Sequence, residues 1–124
     1  MLDQSLNSIS NELQKQNKRV IIKEALANGR VFRNVKYTHY KELYTTLESL
    51  ANKYNVGVDA ISLKFCEQTI QGSTILSGAS SAAQLEENLK IDLFHLLEHE
   101  LEKLNTFRVK EEQYWQERKQ LSWN

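Results

Sequence analysis

Residues 73–89 read STILSGASSAAQLEENL, a β-prone segment that runs straight into a helical one. The first five residues are typical of a short strand. Ser81 followed by Gln84 is a Ser-x-x-Gln capping pattern, which predicts a helix that begins at Ala82. Backbone N–H groups at a helix N-terminus bind anions. This strand–turn–helix junction is therefore a candidate phosphate site, with an ordinary serine-rich cap as the alternative.

A second short strand is predicted upstream, at Val20-Ile21-Ile22, because three consecutive β-branched residues favour a buried strand. Asn28-Gly29 follows as a turn signal, since both residues tolerate positive φ. Strands that alternate with helices pair in parallel through right-handed crossovers. The sequence thus predicts a helix-rich α/β fold.

Five helical stretches are predicted from the spacing of apolar residues. Asp3 and Asp59 are the expected N-caps of the first and third stretches. The expected inward positions are Leu2, Leu6, Ile9 and Leu13; Tyr40, Leu43, Leu47, Leu50, Ala51 and Tyr54; Ile61, Leu63, Phe65 and Cys66; Leu85 and Leu89; and Leu93, Leu96, Leu97, Leu101 and Leu104. Two strands cannot cover their own faces and edges, so the pattern is typical of a slice of a larger α/β fold. The alternative is a small helical domain with two strand-like connectors.

The composition excludes several classes of protein. The 124 residues carry 16 Lys+Arg and 16 Asp+Glu, and a neutral chain lacks the basic face that a duplex-DNA binder needs. The apolar runs are too short to span a membrane, and the N-terminus shows no signal peptide. Cys66 is the one cysteine, which is typical of a cytoplasmic protein. Proline is absent altogether.

Three motifs, in order, resemble the C-terminal portion of the aldo/keto reductases. Residues 77–89 resemble the last strand–helix junction of that family, residues 20–30 its seventh strand and following loop, and residues 50–61 the helical passage between them. The resemblance implies the C-terminal part of a (β/α)₈ TIM barrel, with strands 7 and 8 and their flanking helices. It spans roughly residues 5–105. Residues 1–105 are expected to form the barrel segment, and residues 106–124 an amphipathic tail helix.

The resemblance also implies a site for the adenosine and phosphate end of NADP or NAD. Gly78, Ala79, Ser80 and Ser81 would line the 2′-phosphate and its ribose, and Gln84 lies where an Arg often pairs with that phosphate. The remaining positions implied are Glu87 and Asn88 toward the adenine, and Leu26, Ala27 and Asn28 along the pyrophosphate. Gly78 replaces a Lys that many members carry. Loss of both cations removes charge-assisted contacts to the phosphate, so the sequence leaves open which cofactor is preferred.

No catalytic residue is assigned to this chain. The family's acid and its partners belong to the first half of the barrel, which is missing here, and Lys23 stands where many members stack a Tyr on the nicotinamide. A local group of His39, Lys41 and three tyrosines (Tyr37, Tyr40 and Tyr44) matches none of the family's catalytic positions. The predicted function is that of an oxidoreductase segment that binds the adenosine and phosphate end of NAD(P)H. The alternative is a non-catalytic helical interaction or oligomerisation module without a nucleotide ligand.

Expected partners are the missing N-terminal half-barrel or a second copy, since the strand residues cannot cover themselves. These residues are Val20, Ile21, Ile22, Ile75 and Leu76. Neither nucleic acid nor a membrane is expected as a partner.

Two further patterns are weaker. His95-Leu-Leu-Glu-His99 fits the His-x-x-Glu-His pattern of zinc proteases, which would place both histidines on one helix face, but too few residues follow for a third ligand. No metal ligand is therefore assigned. Trp115 and Trp123 lie among charges of alternating sign, which favours a tail helix that packs on this chain or on a partner.

Overall fold

The computed structural model describes residues 1–122 and contains six α-helices and two very short strands in that range. The helices are α1 (Asn7–Lys15), α2 (Lys41–Tyr54), α3 (Val58–Thr69), α4 (Ala82–Leu89), α5 (Glu98–Asn105) and α6 (Glu111–Lys119). The strands are β1 (Ile21–Ile22) and β2 (Thr74–Ile75), and 3₁₀ turns occur at Ala27–Gly29, Thr38–Tyr40 and Lys90–Leu93. Trp123, predicted to belong to the tail helix, lies outside the described residues.

The two strands pair in parallel, which confirms the pairing predicted from their alternation with helices. Ile21 lies opposite Thr74, and Ile22 lies opposite Ile75. The strands are shorter than predicted, and β1 is not fully buried, because Ile21 is 59% exposed. Among the described residues no third strand pairs with β1 or β2, so the outer edge and part of each face remain open.

Helices α2 and α3 form the centre of the core. Asn55, in the left-handed region at φ 55°, ends α2, as predicted. The N-cap of α3 is Gly57 in an extended conformation, so the prediction of Asp59 is wrong, and Asp59 lies in the first turn. Every residue from 60 to 66 is buried. Helix α3 is thus surrounded by the rest of the chain.

Helix α1 differs from its prediction in both its start and its burial. It begins at Asn7, and Asp3 caps the preceding turn instead, where its Oδ1 accepts from the Ser5 N–H at 3.0 Å. Leu2 lies in the core, tied by its carbonyl to the Val109 N–H at 3.0 Å. The other three residues of the stripe are exposed, at 67% for Leu6, 49% for Ile9 and 38% for Leu13. They are exposed because no described element lies over that face of the helix.

The inward direction predicted for α4 is also wrong. Leu85 and Leu89 are 47% and 59% exposed, whereas the polar Asn88 is buried. Helix α4 packs on α3 through hydrogen-bonding side chains near Asn88 rather than through leucines, which explains why an apolar periodicity misplaces its buried face.

The single helix predicted through Leu93–Leu104 is broken. The backbone of Leu96 bonds to the Gln68 side chain, donating to Oε1 at 2.8 Å and accepting from Nε2 at 3.0 Å. These bonds replace helical ones, so the chain is extended before α5 begins at Glu98. Leu93 and Leu97 are consequently exposed, while Leu96 and Leu104 are buried.

The tail packs on this chain as helix α6, with Tyr114 buried. None of the helices within residues 1–122 has the length and apolar character needed to cross a membrane.

Candidate functional site

Two loops leave the same edge of the sheet, since β1 and β2 are neighbouring parallel strands. The loop after β1 contains three consecutive residues in the left-handed region, with φ 49° at Ala27, 53° at Asn28 and 84° at Gly29. Asn and Gly adopt this conformation readily, so the turn predicted at Asn28-Gly29 is confirmed. Asn28 is exposed at the tip of the turn, whereas Leu26 is half-buried against the core.

The loop after β2 is the serine-rich junction, and the structure confirms its cap. Helix α4 begins at Ala82, and the Ser81 Oγ accepts from the Gln84 N–H at 3.3 Å. The first-turn N–H groups of Ala82 and Ala83 have no partner available within a helix. A Cβ placed on Gly78 would meet nothing within 4 Å. The junction therefore offers an open backbone and outward N–H groups.

Part of this hydrogen-bonding capacity is used within the loop. The Gln84 Oε1 accepts from the Ser80 N–H at 2.8 Å and from the Ser80 hydroxyl at 3.1 Å, and the Ala79 N–H donates to the Ser77 Oγ at 3.1 Å. An anion that bound Ser80 would have to displace the Gln84 side chain, which is exposed and free to swing into solvent.

Glu87 holds α4 against the start of α3, and Asn88 holds it against the loop after β2. The Gly57 N–H donates to Glu87 Oε1, and Lys90 Nζ lies 2.6 Å from Glu87 Oε2. The Lys90 hydrogen bond lowers the pKa of Glu87 below its usual value, against a smaller opposing effect of burial. The buried Asn88 amide lies 2.8 Å from Ser77 Oγ. Both side chains thus make contacts within the chain, and their role toward an adenine stays a prediction.

Arg30, which sequence reasoning missed, fastens the loop after β1. The side chain is only 1% exposed. Its Nε donates to the Ala27 carbonyl at 2.9 Å, and its Nη1 donates to the Tyr114 carbonyl and to Glu117 Oε2, both at 3.0 Å. Its guanidinium carbon also lies 4.1 Å from the centroid of the Tyr114 ring. Arg30 therefore ties the left-handed turn to helix α6. Its position after Gly29 gave no local signal of this role, because its partners in α6, Tyr114 and Glu117, lie more than 80 residues away in the sequence.

Two carboxylates complete this attachment. Both carboxylate oxygens of Glu24 accept hydrogen bonds from the Arg118 guanidinium, the shortest being 2.6 Å from Nη2 to Oε1. Glu24 Oε2 also accepts from the Tyr114 hydroxyl at 3.0 Å. The Arg118 hydrogen bonds lower the pKa of Glu24. Burial of Glu117 would raise its pKa, but hydrogen bonds from Tyr40, Gln113, His39 and Arg30 lower it overall.

The tyrosines around this network are poor acids. Burial, with the neighbouring Glu117, raises the pKa of Tyr40, and burial next to Glu24 raises the pKa of Tyr114 to about 12. A phenol whose pKa lies this far above neutral is badly matched to general acid catalysis near neutral pH. Tyr40 and Tyr114 therefore offer no activated phenol.

The histidine pair does not share a helix face. His95 lies in the extended segment before α5, with Nε2 at 2.9 Å from Gln68 Nε2, and His99 lies inside α5. The helical placement expected for this pair is wrong, because Gln68 takes over the backbone bonds of Leu96. Within residues 1–122 no group of three or more potential metal-ligating side chains is found.

The model of the aldo/keto reductase family matches residues 3–108 of the 124-residue chain, so the protein belongs to that family. The resemblance seen in the three sequence motifs is confirmed at this level. The family is one of oxidoreductases that generally use NAD(P)H, and membership implies a dinucleotide cofactor. No curated protein matches the chain.

Proposed function

We propose that this chain is the C-terminal part of an aldo/keto reductase barrel, cytoplasmic, with β1 and β2 as strands 7 and 8. In this proposal residues 1–105 are the barrel segment and residues 106–124 its tail. The parallel β1–β2 pair, which brings the left-handed turn and the serine-rich junction to one edge of the sheet, supports it. Ligands of α/β folds bind at the carboxyl ends of parallel strands.

The residues at this edge fit the phosphate end of NAD(P)H. Gly78 leaves open space above the backbone, and Ser80 and Ser81 carry hydroxyls that can donate to phosphate oxygens. The first turn of the eight-residue helix α4 adds outward N–H groups at the positive end of its dipole. Asn28, at the exposed tip of the neighbouring turn, would lie along the pyrophosphate.

Cofactor preference follows from the absence of cations in the sequence of the junction. Residues 77–84 read SGASSAAQ and contain no Lys or Arg. A 2′-phosphate would receive only neutral hydrogen bonds there, which are about half as strong as charge-assisted ones. The site should therefore distinguish NADPH from NADH only weakly.

Bound NAD(P)H would supply a hydride for reduction of a carbonyl. The role of this chain is to hold the adenosine end of the cofactor, since the pKa values of Tyr40 and Tyr114 are raised and no described residue is placed as the acid. The acid would come from a polypeptide that completes the barrel, and we expect no reductase turnover from this chain alone. Clear turnover would contradict that division of roles.

The test is a fluorescence titration of the full chain with NADPH and with NADH. Gly78→Lys adds a cation beside the proposed 2′-phosphate position and should tighten NADPH relative to NADH roughly tenfold. Leu93→Lys adds the same charge at a 77% exposed position outside the site and should leave the ratio unchanged. An unchanged ratio in Gly78→Lys would contradict the placement of the phosphate. No binding of either nucleotide would overturn the proposal and favour the helical interaction module.

A further inference from the structure

Helix α1 and strand β1 present an uncovered apolar surface, here called the α1 face. It comprises Leu6, Ile9, Leu13, Ile21 and Trp115, each between 36% and 67% exposed. A groove of about 390 Å³ runs along it, lined by α1, by residues 19–24 and by Tyr114 and Trp115. Monomeric proteins rarely leave a contiguous apolar surface of this kind open to water.

The same surface includes an unpaired strand edge. The carbonyls of Val20 and Ile22 accept from the Thr74 and Leu76 N–H groups of β2, both at 2.9 Å. Because backbone groups alternate in direction along a strand, the N–H and C=O of Ile21 point away from β2. Within residues 1–122 no third strand pairs with this edge. An apolar surface beside an open edge is a template for another chain.

The total surface of the chain indicates how large the missing contact is. The accessible surface is 8233 Å². A folded monomer of 14.5 kDa is expected to expose about 6,900 Å², so this chain exposes roughly 1,300 Å² more. Obligate homodimers bury at least about 2,000 Å² in total, or about 1,000 Å² per subunit. The excess is therefore sufficient for one subunit's share of a stable dimer.

The charges at the groove suit contact with an identical surface. Its lining carries both signs of charge, with the acidic Asp3 and Glu24 and the basic Arg19 and Lys23. In a two-fold interface the same patch meets itself, so Asp3 of one copy can approach a basic residue of the other. A partner of one strong charge would instead meet like charges somewhere along this rim.

We propose that the α1 face is the interface of a homodimer, in which α1 of each copy lies in the groove of the other. The self-association expected from the strand residues thus centres on a helix, which the sequence had assigned to the core. The interface lies apart from the serine-rich junction, and the proposal does not depend on nucleotide binding. A polypeptide that completed the barrel along β1 would have to displace the second copy.

The test is the molar mass of the full chain by light scattering and sedimentation over a dilution series. We expect twice 14.5 kDa at the higher concentrations. Ile9→Lys places two charges in the interface of each dimer and removes two buried apolar side chains. The dissociation constant of the dimer should therefore rise at least about 100-fold. Circular dichroism checks that Ile9→Lys, at an exposed position, leaves the fold intact.

Leu93→Lys is the matched control, because Leu93 is equally apolar and 77% exposed but lies outside the α1 face. It should dimerise as the unsubstituted chain does. A monomer at every concentration would overturn the proposal. A dimer that Ile9→Lys leaves intact, or that Leu93→Lys disrupts equally, would also overturn it. Nucleotide titration of Ile9→Lys should match the unsubstituted chain, which separates failure of the dimer from failure of the cofactor site.

Discussion

Helices α1 and α3 both have an apolar side, yet only α3 is covered by the rest of the chain. Residues 60–66 of α3 are all buried, including Ser62 and Lys64. In α1 only Ser10 is buried, and the apolar stripe faces solvent. Periodicity thus shows that a helix has an apolar face, but it does not show that the same chain covers that face.

A matched pair of isoleucines gives the largest expected difference between these helices. Ile61→Ala in α3 removes a side chain with 0% exposure and should lower the free energy of unfolding by roughly 4 kcal/mol. Ile9→Ala in α1 should change it by less than about 0.5 kcal/mol at dilutions where the chain is monomeric. Urea denaturation measures both values. Equal losses would mean that α1 is covered within one chain.

Helix α6 offers an intermediate case, because it is peripheral like α1 but is tied down by charge. Arg30→Met should lower the free energy of unfolding by about 3 kcal/mol, since it leaves Glu117 without its buried cation. Arg33→Met is the control, because the Arg33–Glu48 pair is about half exposed and such pairs contribute at most about 1 kcal/mol. A loss for Arg30→Met no larger than that of the control would show that α6 is not held through this contact.

The smallest expected effect is the pH dependence of the same attachment. The pKa of Glu117 is lowered from 4.5 in the folded chain, so its stabilisation is present above that value and is lost as the pH falls through the folded pKa. Glu117→Gln should make stability depend less steeply on pH in this acidic range. Denaturation at a series of pH values measures the slope. Glu112→Gln, at an exposed position of the same helix, should leave it unchanged, and an unaltered slope in Glu117→Gln would contradict this account.

Local signals allowed much of the fold to be predicted. The Asn28-Gly29 turn, the Ser81 cap and the end of α2 at Asn55 each depend on a few neighbouring residues, and all three are present. The errors arise where distant side chains decide the outcome. Gln68 breaks the helix expected through Leu96, and Asn88, whose amide lies 2.8 Å from Ser77 Oγ, is buried where Leu85 is exposed.

The candidate site divides in the same way. The serine-rich junction could be recognised from its residues, since small side chains and a helix start are local properties. The hydrogen bond from the Ser80 N–H to the Gln84 side chain could not be predicted. Capping rules place the Gln84 side chain on the N–H of the N-cap residue Ser81, one residue later. The Arg30 attachment could not be predicted either, as it joins residues from opposite ends of the sequence.

The contacts of α6 also have a consequence for the order in which the chain can fold. Arg118 meets Glu24 across 94 residues, and Tyr114 meets Arg30 across 84. Contacts between such distant residues carry a large loop-closure entropy and form slowly compared with helices. The left-handed turn at Ala27–Gly29 therefore acquires its anchor only when α6 docks, which we expect to be a late step of folding.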